Sequence, residues 1–364
     1  MKVAIVGGIY GKASGHRESL RITPETTLAD GLRDRSVGVS TFSHYASIDY
    51  SLFDIVHVHH LSWGAIRAAI DGTRCAFVFT PHYMSGALPL YARWAMRFVI
   101  CRADAVVALS STERAFQKRT YSLKGGISRV IPNGIPSGIY KMQRANSRGQ
   151  GVPWQILYVG QLIEIKRVDI LLQAISRIPF PVSVKLAYQN SKLESDLRLL
   201  ASKLGIAKAV HFVGPKEPKE LCLLYNEADM FVLPSSGEAL PSVITEAMLC
   251  GTPVIATDVG GVREQLGGFG TVVSPNSIEK LASAIVEAVA HYDRFESQIL
   301  KMSAYARHNL STDSMVDRHI DLYRQLSEPV PRRRSRILLR PGSLLAQLVL
   351  RYWPRSRPSP PTVA

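Results

Sequence analysis

The stretch GEALPSVITEAMLCGTPVIATDVGG, residues 237–261, combines a loop, a short helical segment and a β-branched strand. The loop carries Glu238, and the helical segment carries Glu246 before it ends at Gly251. On an α-helix, residues eight positions apart differ by about 80° in azimuth and by about 12 Å along the axis. The two carboxylates therefore do not form a pair on one helical face. We expect them to contact two separate parts of one extended polar ligand.

Short β-branched runs alternate with helical segments on both sides of this stretch. The predicted strands are residues 3–8, 55–60, 76–82, 105–110 and 130–134 in the first half, and 155–161, 181–188, 210–214, 230–235, 252–257 and 270–274 in the second. The predicted helices include residues 24–35, 168–178, 193–205 and 278–292. Short apolar strands followed by amphipathic helices are typical of parallel sheets that are covered on both faces. The sequence therefore predicts the α/β class, with doubly wound parallel sheets.

The length of the chain and one polar segment indicate two domains. A chain of 364 residues exceeds the size of one ordinary hydrophobic core. The polar, glycine-containing segment KMQRANSRGQGVP, residues 141–153, interrupts the strand–helix alternation and is the natural linker. We predict domains at residues 1–145 and 146–312, then a helix at 313–330 and a separate tail at 331–364.

Composition excludes several other classes of protein. No stretch reaches the roughly 18–20 apolar residues needed to cross a bilayer, and MKVAIVGG is too short for a secretory signal. The four cysteines are scattered without a CxxC pair, which favours reduced thiols over disulfides or a zinc site. We therefore expect a cytoplasmic protein.

The basic charge is concentrated in the C-terminal tail. The net charge is +15, and the last 34 residues contain eight arginines and no acid, so the rest of the chain carries +7. The arginines flank the apolar segment SLLAQLVL, residues 343–350, and Tyr352 and Trp353 follow it. This pattern predicts a segment that lies at an anionic membrane surface; a disordered solubilising tail is the alternative. Nucleic-acid binding is not favoured, because the basic residues lack an aromatic platform or a known module.

Ligands of doubly wound sheets contact the carboxyl ends of the strands. The residues predicted at such ends are Gly7–Gly8, His57–His60, His82, Ser110, Asn133, Gly160–Lys166, Gly214 and Ser235–Glu238. The glycine-rich turn VGGIYG, residues 6–11, would let backbone amides approach a phosphate, although a plain tight turn has the same pattern.

The histidines and Lys166 each allow two interpretations. His57 and His59 share one face of a strand, which suits a metal site, but no third ligand at a fixed spacing is evident. Histidines that close a buried strand are the simpler interpretation. Lys166, placed between a strand and the helix from Val168, could neutralise a diphosphate or be a solvated surface residue.

The helix that starts near Pro241, Ser242 and Val243 points unpaired amides and the positive end of its dipole outward, which favours a bound anion. Glu238 would then accept hydrogen bonds from hydroxyls of a group attached to that anion. Glu246 would accept two hydrogen bonds from a ribose diol. The two glutamates would thus hold two sugars on either side of a diphosphate.

In these segments the chain resembles the retaining family-4 glycosyltransferases of GT-B architecture, also called group 1 glycosyltransferases, over roughly residues 1–328. The resemblance rests on YVGQLIEIKRVDILLQA, on VHFVGPKEPKELCLLYNEADMFVLPSSGEALPSVITEAMLCGTPVIATDVGGVRE, and on HIDLYRQL in the second half. In the first half it rests on FDIVHVHH, TPH, ADAVVALSSTE and VIPNGI. It implies two Rossmann-like domains that face a central cleft, with the acceptor on the N-terminal side and the 313–330 helix returning to that domain.

The resemblance also implies roles for single residues. It places Glu238 beside the transferred sugar, Glu246 at the nucleotide ribose and Lys166 at the leaving diphosphate. It further places Gly8 near the diphosphate and His82 near the anomeric centre. The backbone of Val213, Gly214 and Pro215 would face the nucleobase. The amides of Leu240, Pro241 and Ser242 would contact phosphate or sugar oxygens. Neither a catalytic metal nor a cofactor is implied.

Two departures from the family pattern matter. Gln161 stands where the family usually has an arginine, five residues before the lysine, which removes one cation from the diphosphate site. The first loop is long and contains Lys12, His16 and Arg17, in the region that touches the acceptor in related enzymes. The identity of the acceptor is therefore left open.

The activity implied is retaining transfer of a hexose from a UDP-, GDP- or ADP-linked sugar to a lipid, lipid-linked glycan or polysaccharide. The enzyme would work in cell-envelope polysaccharide synthesis, peripherally at the cytoplasmic face of a membrane. The leaving phosphate takes the acceptor proton in this scheme, so no protein nucleophile is required. A non-catalytic sugar-nucleotide-binding protein and a nucleotide-sugar 2-epimerase are the alternatives.

Overall fold

The computed structural model describes residues 1–11, 22–71, 75–82, 88–121, 126–143 and 152–328. These residues form two compact units. The first unit comprises Met1–Ala108, Glu113–Ile131 and the described residues from Val316 onward; the second comprises Leu109–Thr112 and Pro132–Met315. The boundary between the two units thus lies between Ile131 and Pro132, ahead of the polar segment at residues 141–153.

The first unit contains a six-stranded parallel sheet in the order β2-β1-β3-β4-β5-β6. Its strands are β1 (Lys2–Val6), β2 (Gly38–Phe42), β3 (Ile55–His59), β4 (Ala76–Thr80), β5 (Ala105–Ala108) and β6 (Ile127–Val130). Every residue of β3 and of β4 is buried, as expected for central strands covered on both faces. Its helices are α1 (Pro24–Asp34), α2 (Trp63–Asp71), α3 (Leu90–Arg102) and α4 (Ser111–Tyr121), whose first two residues belong to the second unit.

Two strands of the first unit differ from the sequence prediction. Strand β2 was not predicted, because its sequence GVSTF is small and polar and its residues are exposed or half-buried at the sheet edge. The strand predicted at residues 130–134 lies at Ile127–Val130. The amide of Ile131 still bonds to Ala108, but Pro132 has no N–H to continue the pairing.

The second unit contains another six-stranded parallel sheet, in the order β12-β11-β10-β7-β8-β9. Its strands are β7 (Trp154–Val159), β8 (Val182–Ala187), β9 (Val210–Gly214), β10 (Met230–Leu233), β11 (Val254–Thr257) and β12 (Thr271–Val273). The helices are α5 (Val168–Ile175), α6 (Glu194–Lys203), α7 (Pro218–Glu227), α8 (Ser242–Leu249), α9 (Val262–Leu266), α10 (Ile278–Ala290), α11 (Tyr292–Leu310) and α12 (Thr312–Ser327), which continues into the first unit. All six strands predicted in this half are present.

Each sheet has a point where the strand order reverses. In the first sheet, β1 has β2 on one side and β3 on the other; in the second, β7 has β8 on one side and β10 on the other. Ligands of doubly wound sheets bind outside the carboxyl ends of the strands at this reversal. The topology therefore favours ligand binding at the loops after β1 and β3 in the first sheet, and at the loops after β7 and β10 in the second. Among the described helices, none has the length and apolarity needed to cross a membrane.

Candidate functional site

Two loops meet at the strand reversal of the second sheet. The loop after β7 ends in a short 3-10 turn, Glu164–Lys166, and the loop after β10 carries Ser235–Glu238. The backbone N–H and the hydroxyl of Ser236 both donate to the carbonyl of Ile165, at 2.8 and 3.1 Å. These bonds fix the two loops to each other and hold Lys166 and Glu238 at one place.

Lys166 and Glu238 form a buried ion pair. The ammonium of Lys166 donates to Oε1 of Glu238 at 2.8 Å, and only 6% and 2% of the two side chains are exposed. The sequence predicted a separate ligand contact for each residue, and their pairing across 72 positions was not predicted. At such a buried pair, the ammonium can interact with an anion and the carboxylate can accept hydrogen bonds from hydroxyl groups.

Gly260 fixes the backbone beside Glu238. A Cβ atom at this glycine would lie 1.9 Å from the carbonyl oxygen of Glu238, and its φ of +57° is in the left-handed region. The next residue, Gly261, donates its N–H to the carbonyl of Ala239 at 2.8 Å. The second half of the GEALPSVITEAMLCGTPVIATDVGG stretch therefore returns to support the loop in its first half.

Glu246 lies on α8 and accepts a hydrogen bond at Oε2 from the Tyr225 hydroxyl, at 2.9 Å. Burial raises the pKa of Glu246 to about 7, while hydrogen bonds from Tyr225 and Tyr140 act in the opposite direction. Near neutral pH the carboxyl therefore passes between its neutral and ionised forms. The two tyrosines were missed from the sequence; the Tyr225 hydroxyl could have been suspected, because a buried phenol needs a partner.

Helix α8 begins without a side-chain cap. Pro241 occupies the N-cap position and provides no capping hydrogen bond, and its carbonyl accepts from Nε2 of Gln265 at 2.9 Å. The first amides of an α-helix have no acceptor within the helix. Leu240 is buried and Ser242 is half-buried at this terminus. Glu238 thus precedes an uncapped helix start and Glu246 lies within the helix, as the sequence predicted.

The remaining predicted donor contacts also lie at strand ends. Gln161 is half-buried after β7, and its carbonyl accepts from the Tyr158 hydroxyl at 2.8 Å. Gly214 ends β9 with a φ of +68°. Strand β9 is two strands away from β7, or about 10 Å at the usual spacing. A ligand that reaches from Lys166 to Val213–Pro215 must therefore be extended.

In the first unit, histidines gather after β3 and β4. Nδ1 of His59 and Nε2 of His82 share a hydrogen bond of 2.8 Å, and Nε2 of His60 lies 3.4 Å from Oε1 of Glu25. His60 and His82 both have left-handed φ angles, +61° and +51°. Non-glycine residues in this region cost about 1–3 kcal/mol and cluster at functional sites. Glu25 was missed from the sequence, although its place at the start of the helix after β1 brings it to this sheet edge.

His57 is a satisfied core residue. Its ring bonds to the Tyr323 hydroxyl at 2.6 Å and to the Thr80 hydroxyl at 2.7 Å. In the described part of the chain, no three histidine, cysteine, aspartate or glutamate side chains are grouped for a metal ion. The geometry of His57 matches the interpretation of a histidine that closes a buried strand.

Burial sets the protonation of these rings. It lowers the pKa of His59 to about 3 and that of His44 to about 4, and it holds the pKa of His82 well below the usual value. Burial alone would raise the pKa of Glu25, but the hydrogen bond from His60 and the neighbouring imidazoles hold it below its usual range. At neutral pH the rings of His44, His59 and His82 are therefore neutral, and the nearby carboxylate of Glu25 is ionised.

The glycine turn after β1 packs against the same groups. A Cβ atom at Gly7 would lie 2.9 Å from Cγ of Glu25, and one at Gly8 would lie 3.1 Å from Nε2 of His44. The absence of side chains at Gly7 and Gly8 thus lets the turn pack closely against Glu25 and His44. The predicted acceptor-side residues Lys12, His16 and Arg17 lie outside the described residues.

The two units each contain a doubly wound parallel sheet, and polar side chains gather at the strand reversal of each. The family model "Glycosyl transferases group 1" matches residues 141–308, and "Glycosyltransferase Family 4" matches residues 17–137. The chain therefore belongs to the group 1, family-4 glycosyltransferases, and its two units have the GT-B fold. The family resemblance noted in the sequence is confirmed, and the chain is a glycosyltransferase.

Individual relatives agree with this assignment. The D-inositol 3-phosphate glycosyltransferase of Corynebacterium urealyticum is 28% identical over 308 residues, which cover 75% of this chain and 72% of that protein. The sucrose-phosphate synthase of Thermosynechococcus elongatus superposes with a TM-score of 0.74 at 19% identity, covering 90% of this chain and 99% of that one. HepE of Anabaena, solved in complex with UDP, gives a TM-score of 0.71 at 19% identity over 89% and 100% of the two chains.

Proposed function

We propose that this glycosyltransferase moves a hexose from a nucleoside-diphosphate sugar to an acceptor with retention at the anomeric carbon. The observation that carries the proposal is the buried Lys166–Glu238 pair at the strand reversal, just ahead of the uncapped start of α8. A cation and a helix N-terminus stabilise the charge that grows on a departing diphosphate. A carboxylate at the same point accepts hydrogen bonds from sugar hydroxyls.

The donor contacts follow from this assignment. Lys166 and the amides near Leu240–Ser242 hold the diphosphate, with Gln161 as a neutral donor where the family has an arginine. Glu238 positions the transferred sugar, and Glu246 in its ionised form accepts from the ribose diol. Val213, Gly214 and Pro215 border the nucleobase. The leaving phosphate takes the acceptor proton, so Glu238 is a positioning group and not a nucleophile.

From the first unit, Gly8 and His82 are assigned to the diphosphate and to the anomeric centre. The left-handed backbone of His82 and its hydrogen bond to His59 support this, because such strain is retained where a side chain must be held in one orientation.

The proposed acceptor is a lipid, a lipid-linked glycan or a polysaccharide, met by Lys12, His16 and Arg17. The enzyme then works at the cytoplasmic face of a membrane, held there by the arginine-rich tail. A phosphorylated polyol is a second candidate, because the similar protein of Corynebacterium urealyticum is named for D-inositol 3-phosphate. Comparing transfer to inositol 3-phosphate with transfer to a membrane lipid extract separates the two.

The donor is tested by thermal stability in UDP-, GDP- and ADP-sugars. A donor present at 100 times its dissociation constant adds about 2.7 kcal/mol to the free energy of unfolding. Stabilisation without transfer to any acceptor would favour the non-catalytic alternative, and conversion of the donor sugar to its 2-epimer would favour the epimerase.

Two variants then test the assignments within the site. Glu246→Ala should weaken nucleoside diphosphate binding by about 1.5–3 kcal/mol, as expected when a charged hydrogen-bond partner is lost. Glu238→Gln should lower turnover without weakening that binding. Equal loss of diphosphate binding and turnover in both variants would contradict this division of roles.

The tail is tested by truncation after Glu328. The truncated protein should no longer sediment with anionic vesicles and should bind nucleotide as before. Equal sedimentation of truncated and full-length protein at moderate salt would show that the tail is not the membrane anchor.

A further inference from the structure

Two helices of the second unit are joined by a buried hydrogen bond at the proposed ribose contact. The hydroxyl of Tyr225, on α7, donates to Oε2 of Glu246, on α8, at 2.9 Å. Tyr140 makes a second side-chain hydrogen bond to the same carboxyl group, from the segment just ahead of residues 141–153. Tyr140 and Tyr225 are 2% and 0% exposed, against 8% for Glu246. The two phenols are therefore out of reach of a ligand that contacts Glu246.

The ring of Tyr225 is held from several sides. Its centroid lies 5.6 Å from that of Phe231 on β10 and 6.2 Å from that of Tyr140, both in edge-on contacts. Aromatic pairs prefer such edge-to-face geometry. The carbonyl of Tyr225 also accepts from the Thr252 hydroxyl at 2.6 Å. These contacts fix the ring so that its hydroxyl is directed at Glu246.

Tyr140 is held against α7 by its neighbour in the chain. The carbonyl of Lys141 accepts from Nδ2 of Asn226 at 3.1 Å and from Sγ of Cys222 at 3.6 Å. The sulfur of Cys222 in turn lies 3.8 Å from that of Cys250, the C-cap residue of α8. The segment that carries Tyr140 is thus fastened to α7, and α7 is in contact with α8.

Three other polar groups on or against α8 are neutral. Gln265 of α9 donates through Nε2 to the hydroxyl of Thr245 at 2.9 Å, and the Ser303 hydroxyl of α11 donates to a carbonyl of α8 at 3.1 Å. Burial raises the pKa of the Cys250 thiol, so this thiol stays protonated at neutral pH. Burial also raises the pKa of Glu246, and among the described residues the two phenols are the groups that oppose it.

We propose that Tyr140 and Tyr225 are positioning residues for the donor nucleotide: their phenols orient the Glu246 carboxylate and leave its remaining acceptor capacity to the ribose diol. An ionised carboxylate has about four lone-pair sites on its two oxygens, so two phenol donors leave room for two hydroxyls. Phenol donors also stabilise the ionised form, which is the form that accepts from both hydroxyls. This inference rests on the proposed contact between Glu246 and the ribose, and it adds two residues that the nucleotide does not touch.

The test measures, by calorimetry at several pH values, the affinity of the full-length protein for whichever of UDP, GDP and ADP binds. In Tyr225→Phe, one hydrogen bond to the ionised form is lost, which should raise the pKa of Glu246 from about 7 to about 8. The ionised fraction at pH 7 then falls from about a half to about a tenth. We expect binding that is about fivefold weaker at about pH 7 and at most about twofold weaker at about pH 9. Tyr140→Phe should behave alike, which keeps the test valid if one variant fails to fold.

Tyr292→Phe is the matched control, because it removes a buried phenol hydroxyl that donates to the carbonyl of Asp229, at 3.0 Å, and not to a carboxylate. It should leave the affinity unchanged at every pH. Glu246→Gln reports the titration of the diphosphate itself, since the amide does not titrate. The double variant Tyr225→Phe/Glu246→Gln should bind as Glu246→Gln alone does, because the tyrosine acts through the carboxylate.

An unchanged pH midpoint in both tyrosine variants would overturn the proposal. So would a further loss of affinity in the double variant, since the tyrosine would then act on the structure and not through Glu246. If Glu246→Gln itself leaves the affinity and its pH dependence unchanged, the ribose assignment fails and the proposal fails with it. The first two results leave that assignment standing, so a failure of the inference is distinguishable from a failure of the proposed function.

Discussion

The carboxyl edges of the two sheets place opposite chemistry at equivalent positions of the same fold. In the first unit, burial keeps His59 and His82 neutral around the ionised carboxylate of Glu25. In the second unit, Lys166 and Glu238 are buried as a pair, and the pKa of Glu246 is raised towards neutrality. The topology selects where groups gather, and the local packing decides whether they are charged. The two edges should therefore respond differently to substitution and to pH.

The largest effect is expected when the buried pair of the second unit is broken. Lys166→Ala leaves Glu238 as an uncompensated buried charge, which costs about 3–5 kcal/mol of stability. It also removes the cation proposed to meet the diphosphate, which should lower kcat by about 10²–10³. Thermal unfolding and turnover measure the two effects.

Lys192→Ala is the matched control for that substitution. Lys192 pairs with Glu164 at 2.7 Å, but both side chains are more than half exposed. Exposed pairs contribute about 0–1 kcal/mol. Similar losses in the two variants would mean that burial does not distinguish the pairs.

The second prediction concerns the backbone support of Glu238. Gly260→Ala should destabilise the second unit by about 4 kcal/mol, because the new methyl group meets the Glu238 carbonyl and the left-handed backbone is strained. Gly268→Ala shares only the left-handed backbone, with a φ of +89° and open space around the Cβ position, and should cost about 1–2 kcal/mol. Chemical denaturation measures the loss in free energy of unfolding for each variant. Equal losses would mean that the close approach of residue 260 to the Glu238 carbonyl contributes nothing.

Much of this site could be predicted from the sequence, because the strands of the second unit are continuous apolar runs. The positions of Glu238 and Glu246 on either side of a helix start followed from the loop and helix pattern of residues 237–251. Their partners did not: Lys166 lies 72 residues from Glu238, and Tyr225 reaches Glu246 from another helix. Such pairs depend on how loops fold onto each other, which local patterns do not encode.

The first unit was harder to predict for a related reason. Strand β2 lies at a sheet edge, where GVSTF needs no apolar run to be stable. The histidines were recognised as strand-end residues, but the contact of His60 with Glu25 depends on the connection from β1 into α1. Histidine is enriched in the left-handed region, but the residue type alone does not locate this conformation at His82.

The third prediction is that pH acts on the two units with opposite sign. The folded pKa values of His59 and His44, about 3 and 4, lie below the usual value near 6.5. The first unit therefore loses stability as the pH falls below about 6.5. Glu246 has a folded pKa of about 7, raised from 4.5, so its contribution is complete below pH 4.5 and is lost as the pH rises through 7.

Hydrogen exchange at several pH values would measure this difference unit by unit. Glu246→Gln should abolish the loss that develops in the second unit between pH 4.5 and 7, which amounts to about 3 kcal/mol at most. It should leave the acid-side loss in the first unit unchanged. Parallel pH profiles in the two units would contradict the comparison.

The smallest effect is expected at Gln161. Gln161→Arg adds a cation at a half-buried position beside the proposed diphosphate site, and should strengthen nucleoside diphosphate binding by about 1 kcal/mol. Calorimetry measures the affinity, and Gln173→Arg, on the neighbouring helix α5, controls for net charge. No gain at Gln161, or an equal gain at Gln173, would count against the diphosphate assignment.

The Lys166–Glu238 pair also has a consequence for selectivity among cellular anions. Because the lysine is already neutralised from within the protein, a lone phosphate gains little by approaching it and meets a carboxylate as well. A ligand that brings hydroxyls for Glu238 together with a diphosphate for Lys166 satisfies both partners at once. The pair would therefore favour the intact donor over inorganic phosphate and over the spent nucleotide, and so would limit inhibition by the enzyme's own product.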